Sequence, residues 1–290
     1  PFFLAEIMAS NIGGTATLIG DPPNIMIGSA AGLSFADFVM VDAPAAIICL
    51  IVMIGLFYLL FGRKFKVDEE HKRALMERDE REEIKNPTLL RQSVIMIILV
   101  TAGFMLHGSL GIESCVVALT AAGILMLISG ERIEEALAHV EWTTLVFFAG
   151  LFIVVGALSE VGVIGMLAQA LIDVTGGSTF VAMLVLLIAS AIISSFLDNI
   201  PFVATMIPIL LSMEATGMDV MPLWWAVSLG ACLGGNGTLI GASANVVMSD
   251  IAKKHGTEIT FIGFLKYGFP IMLVTIAVSA VYLVVRFPPM

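Results

Sequence analysis

The chain has 290 residues, 59% of them hydrophobic and 13% charged, with a mean hydropathy of +1.02 and a formal net charge of −10. Soluble domains are about half apolar and about a quarter charged, so this composition excludes an ordinary water-soluble domain, and the lack of a basic face excludes nucleic-acid binding. The charges are clustered, and the long uncharged stretches between them predict an all-α polytopic membrane protein.

In chain order, residues 1–61 read as the end of a first structural repeat, with a broken helix over 3–28 and a span over 43–61. The segment 28–44 holds Asp37 and Asp42 but no Lys or Arg, and reads as an external loop. Residues 62–91 read as a solvated, helical cytoplasmic linker, because nine of the 14 basic residues fall between Arg63 and Arg91 together with eight acids. Residues 92–290 read as a second repeat with spans at 92–108, 113–129 and 142–159. Two amphipathic stretches, 131–141 and 160–173, are expected at the interfaces. The run 176–213 is too long for one helix and too short for two comfortable crossings. Its polar centre, Leu197-Asp198-Asn199-Ile200-Pro201, predicts a re-entrant hairpin with its tip inside the membrane. The run 220–249 is interrupted by Gly234-Gly235-Asn236-Gly237, which predicts a second broken helix, and 265–286 is a final span.

Placing the linker inside puts Arg132, Lys253 and Lys254 on the cytoplasmic side and the C-terminus outside a cell (inner or plasma) membrane. No basic n-region precedes the first apolar run. The three cysteines, Cys49, Cys115 and Cys232, lie in apolar segments without metal-ligand spacing and read as packing residues.

The chain repeats itself. Gly13–Asn24 reads GGTATLIGDPPN and Gly234–Asn245 reads GGNGTLIGASAN, identical at seven of twelve positions without a gap. After a five-residue shift Phe35 and Phe38 match Phe261 and Phe264, and Pro44 matches Pro270. Under the topology above the two copies run in opposite directions. Inverted repeats with broken helices are a signature of secondary transporters, with the site at the midplane where the copies meet. A break frees N–H and C=O groups and opposes two helix dipole ends, which bind ions or polar substrate without water. The repeat also predicts a hairpin and about three spans upstream of Pro1.

Asp198 is the leading candidate for proton or cation binding, since a carboxylate inside a membrane is costly unless paired, hydrated or protonated; capping a half-helix is its simpler role. Asp21 has the same two readings, and its repeat partner is Ala242. Asn24 and Asn245 are matched amides able to bond backbone freed at the breaks, or a substrate. Thr17 and Thr238 are matched hydroxyls for an ion site, or for backbone bonding.

The segments SNIGGTATLIGDPPN at 10–24, VEWTTLVFFAGLFIVVGAL at 140–158 and SSFLDNIPFVATMIPIL at 194–210 resemble the ArsB/NhaD group of the ion transporter superfamily, with its citrate-transporter-like domain. That group includes arsenite permeases, NhaD-type sodium/proton antiporters and the melanocyte P protein, with sodium-coupled dicarboxylate transporters more distant. The resemblance covers essentially the whole chain. It implies a scaffold and a moving transport part of two hairpins and two broken helices, in a homodimer. It places Asp198 and Asn199 at the second hairpin tip, Gly235, Asn236, Gly237 and Thr238 at the second break, and Gly14, Thr15, Ala16 and Thr17 at the first. It implies no cofactor beyond a coupling ion, Na+ or H+, with Na+ near Asp198, Asn199 and Thr238. In an arsenical-pump branch it implies an ATPase subunit as partner. The dicarboxylate branch carries Ser-Asn-Thr at the hairpin tip where this chain has Asp-Asn-Ile, a departure that argues against carboxylate transport by that route.

The expected function is therefore secondary transport of an inorganic ion or small anion, sodium/proton antiporter-like or arsenite permease-like, with sodium-coupled di- or tricarboxylate transport as the alternative. In an oxyanion exporter the breaks' N–H groups and the hydroxyls of Thr15, Thr17 and Thr238 would hold the substrate. Two readings of other classes are a passive channel, since helix breaks also build filters, and an intramembrane aspartyl protease using Asp21 and Asp198. The second leaves the repeat without a role. HExxH and GxxxxGKS/T are absent, so neither a metalloprotease nor an ATP-driven pump is supported.

Overall fold

Uncharged stretches of this length have one way to satisfy their backbone in lipid without a closed barrel: internal i→i−4 hydrogen bonds. The computed structural model describes residues 2–62, 73, 76, 77, 84–130 and 132–289, and the described chain is helical with no strand. The helices are α1 (Phe2–Thr15), α2 (Pro22–Ala31), α3 (Phe35–Phe61), α4 (Pro87–Leu110), α5 (Ser114–Ser129), α6 (Ile133–Ala138), α7 (Trp142–Glu160), α8 (Val163–Thr175), α9 (Thr179–Phe196), α10 (Asn199–Ala215), α11 (Met221–Gly234), α12 (Ser243–Lys254) and α13 (Phe261–Arg286). Five of them are long and apolar enough to cross a membrane: α3, α4, α7, α9 and α13. Large apolar side chains cover their outer faces, such as Ile97 and Ile98 on α4 and Ile51 and Leu59 on α3, all more than half exposed. A surface of that kind needs lipid rather than water. This is an all-α polytopic membrane protein. Most of the linker expected at 62–91 lies outside the described residues.

The chain forms two compact units, residues 61–145 and residues 1–60 with 146–290. In the smaller, α4 starts at an Asn86 cap whose side chain accepts from Leu89 N at 3.1 Å, and α5 packs back along it, with Val117 over Gly103. Arg132 lies 3.9 Å from Glu134 and from Glu135 on α6, in pairs too exposed to add more than a fraction of a kcal/mol.

The larger unit holds the repeat. α1 and α2 are halves of one broken helix, and α11 and α12 are halves of the other; α3 and α13 follow them in turn. Pro44 and Pro270 both lie inside their helices. α9 and α10 form a helical hairpin with Leu197 and Asp198 at the turn, and α9 by itself has spanning length, about 27 Å at 1.5 Å per residue.

The most intimate packing joins α9 to α11, whose residues from Pro222 to Gly234 are all buried. A helix apolar all round belongs inside a bundle. The spacing Gly230-x-x-x-Gly234 lets the two backbones touch: a Cβ on Gly230 would lie 2.7 Å from Leu187 O, and one on Gly234 2.7 Å from Ala191 O. Ser194 Oγ then donates to Ala231 O at 2.7 Å, and Ser195 Oγ to Gly234 O at 3.0 Å.

Residues 28–44 are not a loop: α2 runs to Ala31 and α3 begins at Phe35, so the span expected at 43–61 is the later part of a 27-residue helix. The cause is local. Asp37 accepts from Ser34 N at 2.7 Å and Ser34 Oγ at 2.6 Å, which fixes the start of α3 there. Asp42, expected in that loop, has no exposed surface at all.

Candidate functional site

Each break is closed by an asparagine amide on matched carbonyls, at a constant offset of 221 residues, with one additional bond, to Thr15 O, in the first. In the first, Asn24 Nδ2 donates to Thr17 O at 3.0 Å, Thr15 O at 3.1 Å and Gly14 O at 3.5 Å. In the second, Asn245 Nδ2 donates to Thr238 O at 2.9 Å and Gly235 O at 2.7 Å. Each amide thus ties down the carbonyls that its break frees, which would otherwise be buried without partners. Matched glycines let the ends of each break touch. Gly14 meets Gly20, where a Cβ would lie 2.8 Å from Gly20 O, and Gly241 meets Gly235, where a Cβ would lie 2.9 Å from Gly235 O.

The breaks are also cross-linked. Asn11 Nδ2 donates to Asn245 Oδ1 at 2.8 Å and to Asn236 Oδ1 at 2.9 Å, while Cys232 Sγ donates to Asn24 Oδ1 at 3.4 Å. Asn11 and Cys232 are themselves 221 apart, so the residue one turn before each break reaches the amide of the other.

Between the breaks and the hairpin tip lies a pocket of about 140 Å³. Ser10, Asn11, Gly14 and Gly20 line it from the first break, with Asp21 and Pro22 at the start of α2. Asn199 and Ile200 come from the start of α10, and Ala242, Ser243 and Ala244 from the start of α12. Three helix N-termini therefore converge on one small space. Asp21 occupies the N-cap position of α2 but makes no capping bond with its side chain. Its two oxygens accept instead from Asn199 Nδ2, at 3.3 and 3.2 Å. Asp198 does cap α10, accepting from Ile200 N at 3.0 Å with one oxygen and from Ser243 Oγ at 3.3 Å with the other. α2 opens with Pro22-Pro23, which carry no N–H. The pocket thus has one carboxylate in its lining, Asp21, and a second, Asp198, beside it, with little backbone donor capacity on the α2 side; no Lys or Arg lines it.

Of the residues singled out from sequence, Gly14, Asp21 and Asn199 line this pocket, with Asp198 beside it. Others build its walls. Thr15 Oγ1 donates to Asn11 O, the Thr238 hydroxyl to Ser195 O, and Asn236 Nδ2 to Met8 O. Thr17 takes part through its carbonyl. Gly237 sits against Ser195, which leaves no room for a side chain. The Thr15 and Thr238 hydroxyls are therefore engaged with backbone rather than pointed at a substrate, as Thr in buried helices commonly is. No cluster of three metal-ligating side chains occurs among the described residues.

Sequence reading missed Asn11, Ser243, Ser228 and Asp42. Asn11 and Ser243 carry a readable signal, lying within or just beside the repeated blocks. Ser228 Oγ lies 2.8 Å from Asn24 Oδ1 and 2.5 Å from Asp42 Oδ2, joining two residues that no local motif connects.

Residues 1–230 match a family model described as citrate transporter. Over 290 residues, 99% of the chain, it is 46% identical to a Mycobacterium tuberculosis protein described as an uncharacterized transporter, covering 67% of that protein. It is 44% identical to a 46 kDa membrane protein of Mycobacterium leprae, again over 99% of the chain and 68% of the relative. It is 33% identical to the mouse P protein, with 97% of the chain aligned to 44% of that protein.

Proposed function

Because the chain belongs to the citrate transporter family within the ArsB/NhaD-like ion transporter superfamily, and is thus part of a multi-pass membrane transporter, we propose that it works by ion-coupled secondary transport, with a small cation bound between Asp21, Asn199 and Asp198. The observation that carries this reading is the pocket itself. The Asp21 carboxylate lines it and Asp198 lies beside it through Ser243, Asn199 supplies an amide whose nitrogen is on Asp21 and whose oxygen is left for a cation, and α2 begins with two prolines that offer an anion nothing. Oxygen ligands of this kind suit hard cations. A proton competing for the same carboxylates gives exchange, the chemistry of a sodium/proton antiporter.

A second reading has its own support. The family's description is citrate transporter, and α12 brings its N-terminus, with Ala242, Ser243 and Ala244, to the pocket. A small anion seated there beside a cation at Asp21 would be co-transport of a carboxylate or an inorganic anion. We take the homodimer, the inward-facing linker and the outward C-terminus as parts of the same proposal. The chain spans about two thirds of the length of the two mycobacterial relatives.

The test uses everted vesicles from a transporter-deficient bacterium expressing the full-length gene. A ΔpH-sensitive dye reports the respiratory proton gradient while sodium or lithium is added, and separately arsenite or citrate. Dequenching by sodium or lithium that disappears in Asp21→Asn and Asp198→Asn supports cation/proton exchange. Uptake of labelled citrate or arsenite without a cation response moves the site to the α12 N-terminus.

A further inference from the structure

Asp42 has no surface exposed, lies on α3 inside the larger unit, and has no part in the pocket described above. Its Oδ1 is buried without a hydrogen-bond partner. Among the described residues no Lys, Arg or His pairs with it; the titratable groups facing it are Cys232 on α11 and Tyr282 on α13, and Tyr282 itself faces Arg286. Tyr282 spends its hydroxyl on Val41 O, at 2.7 Å. The one polar side chain bonded to Asp42 is Ser228, at 2.5 Å from Oδ2.

The same Ser228 oxygen is 2.8 Å from Asn24 Oδ1. Both neighbours are acceptors, and a serine hydroxyl has one hydrogen. With Asp42 ionised, the charged oxygen takes that hydrogen, because hydrogen bonds to ionised acceptors are the stronger ones. Asn24 Oδ1 is then left with the weak Cys232 thiol at 3.4 Å. With Asp42 protonated, its own O–H donates to Ser228, and the Ser228 hydrogen turns to Asn24. Asn24 is the side chain whose amide nitrogen holds the carbonyls of Thr15 and Thr17 at the first break. We propose that Asp42 is a proton-binding site whose occupancy, relayed by Ser228 to Asn24, sets how firmly the first helix break is held.

The step balances simply: one proton arrives at Asp42 Oδ2, Ser228 exchanges one hydrogen-bond acceptor for another, and no other bond is made or broken. The relay acts on one break only. The repeat places Ile7 opposite Ser228 and Gly268 opposite Asp42, and Asn245 Oδ1 accepts from Asn11 instead. The inference rests on the transporter reading for the use made of the proton, but its test needs no transported substrate, so failure of a flux assay and failure of the relay are separate results.

Full-length protein in lipid nanodiscs is examined by amide hydrogen exchange at acid and alkaline pH, each rate corrected for intrinsic pH dependence. Residues 16–21 of the wild type are expected to exchange about fivefold more slowly on the acid side, the ratio one neutral hydrogen bond supports. Residues 236–242 are expected to show no such change. Ser228→Ala, which leaves Asp42 in place, is expected to abolish the difference at 16–21, as is Asp42→Asn. Infrared difference spectra on the same pH jump are expected to contain a carboxylic-acid carbonyl band that Asp42→Asn removes and Ser228→Ala displaces. A pH effect at 16–21 that survives Ser228→Ala, no such effect in the wild type, or a carbonyl band unchanged in Asp42→Asn would each overturn the relay. If Asp42→Asn does not fold, Ser228→Ala decides it.

Discussion

The two breaks share a sequence, a glycine contact and an asparagine clamp, yet they are built for different work. The second is the more buried: residues 235–238 and Gly241 are buried, Ile240 alone of its turn is exposed, and α9 presses on it through Ser195. The first is the more open, with Gly13 and Gly20 exposed where Gly234 and Gly241 are buried, and it carries the charge. Asp21 stands where the second break has Ala242, and Asn24 is wired to Asp42 while Asn245 is wired to neutral Asn11. A duplicated scaffold thus supplies the geometry twice, and single substitutions at matched positions divide the roles. In the proposed cation site, the second break is the fixed wall and the first supplies the Asp21 carboxylate.

The comparison is broken most directly at the matched glycines 13 and 234. A Cβ on Gly234 would lie 2.7 Å from Ala191 O and 2.8 Å from its Cα, and backbone cannot step aside. A Cβ on Gly13 meets nothing within 4 Å. Gly234→Ala is expected to cost about 1–3 kcal/mol or more through overpacking, seen as a clear fall in the thermal unfolding temperature of detergent-solubilised protein. Gly13→Ala, in the last turn of α1, is expected to be neutral or to gain a fraction of the roughly 1 kcal/mol that helix propensity gives in an interior. Equal losses at both would contradict the division.

The asparagine clamps come next. Asn245→Ala leaves the carbonyls of Gly235 and Thr238 and the amide of Asn11 short of partners, and is expected to cost about 2–4 kcal/mol. Asn24→Ala strands the Thr15 and Thr17 carbonyls at a less buried break and is expected to cost less. Urea unfolding followed through Trp224 and Trp225 ranks the two, and the reverse order would overturn the view that the second break is the rigid one.

The smallest stability effects are expected at the two aspartates. Asp198→Ala removes a cap and is expected to cost about 1 kcal/mol, while Asp198→Asn keeps it. Asp21→Asn removes no capping bond and is expected to leave unfolding within about half a kcal/mol of the wild type. Both Asn variants are expected to lose cation-driven proton flux. A large loss of stability in Asp21→Asn would instead make Asp21 a structural residue.

The sequence shows the helices, the hairpin turn and both breaks, because uncharged length, a lone aspartate between apolar runs and a twelve-residue repeat are local signals. Gly14, Asp21 and Asn199 are legible for the same reason. The links between segments are not. Asn11, Ser228 and Asp42 gain their meaning only when α1, α3 and α11 meet, and Asp42 read as a loop acid because its missing cationic neighbours look the same in a loop and in a core. The place of Thr15 and Thr238 in the motif points to a binding role, while the fold engages their hydroxyls on backbone carbonyls.

Binding of radiolabelled sodium to purified full-length protein, measured with the wild type, Asp21→Asn and Asp198→Asn, tests the pocket most directly. Saturable binding that acid suppresses, and that both substitutions abolish while the proteins stay folded, is the predicted result. Saturable sodium binding of undiminished affinity in both variants would contradict a cation site between Asp21, Asn199 and Asp198.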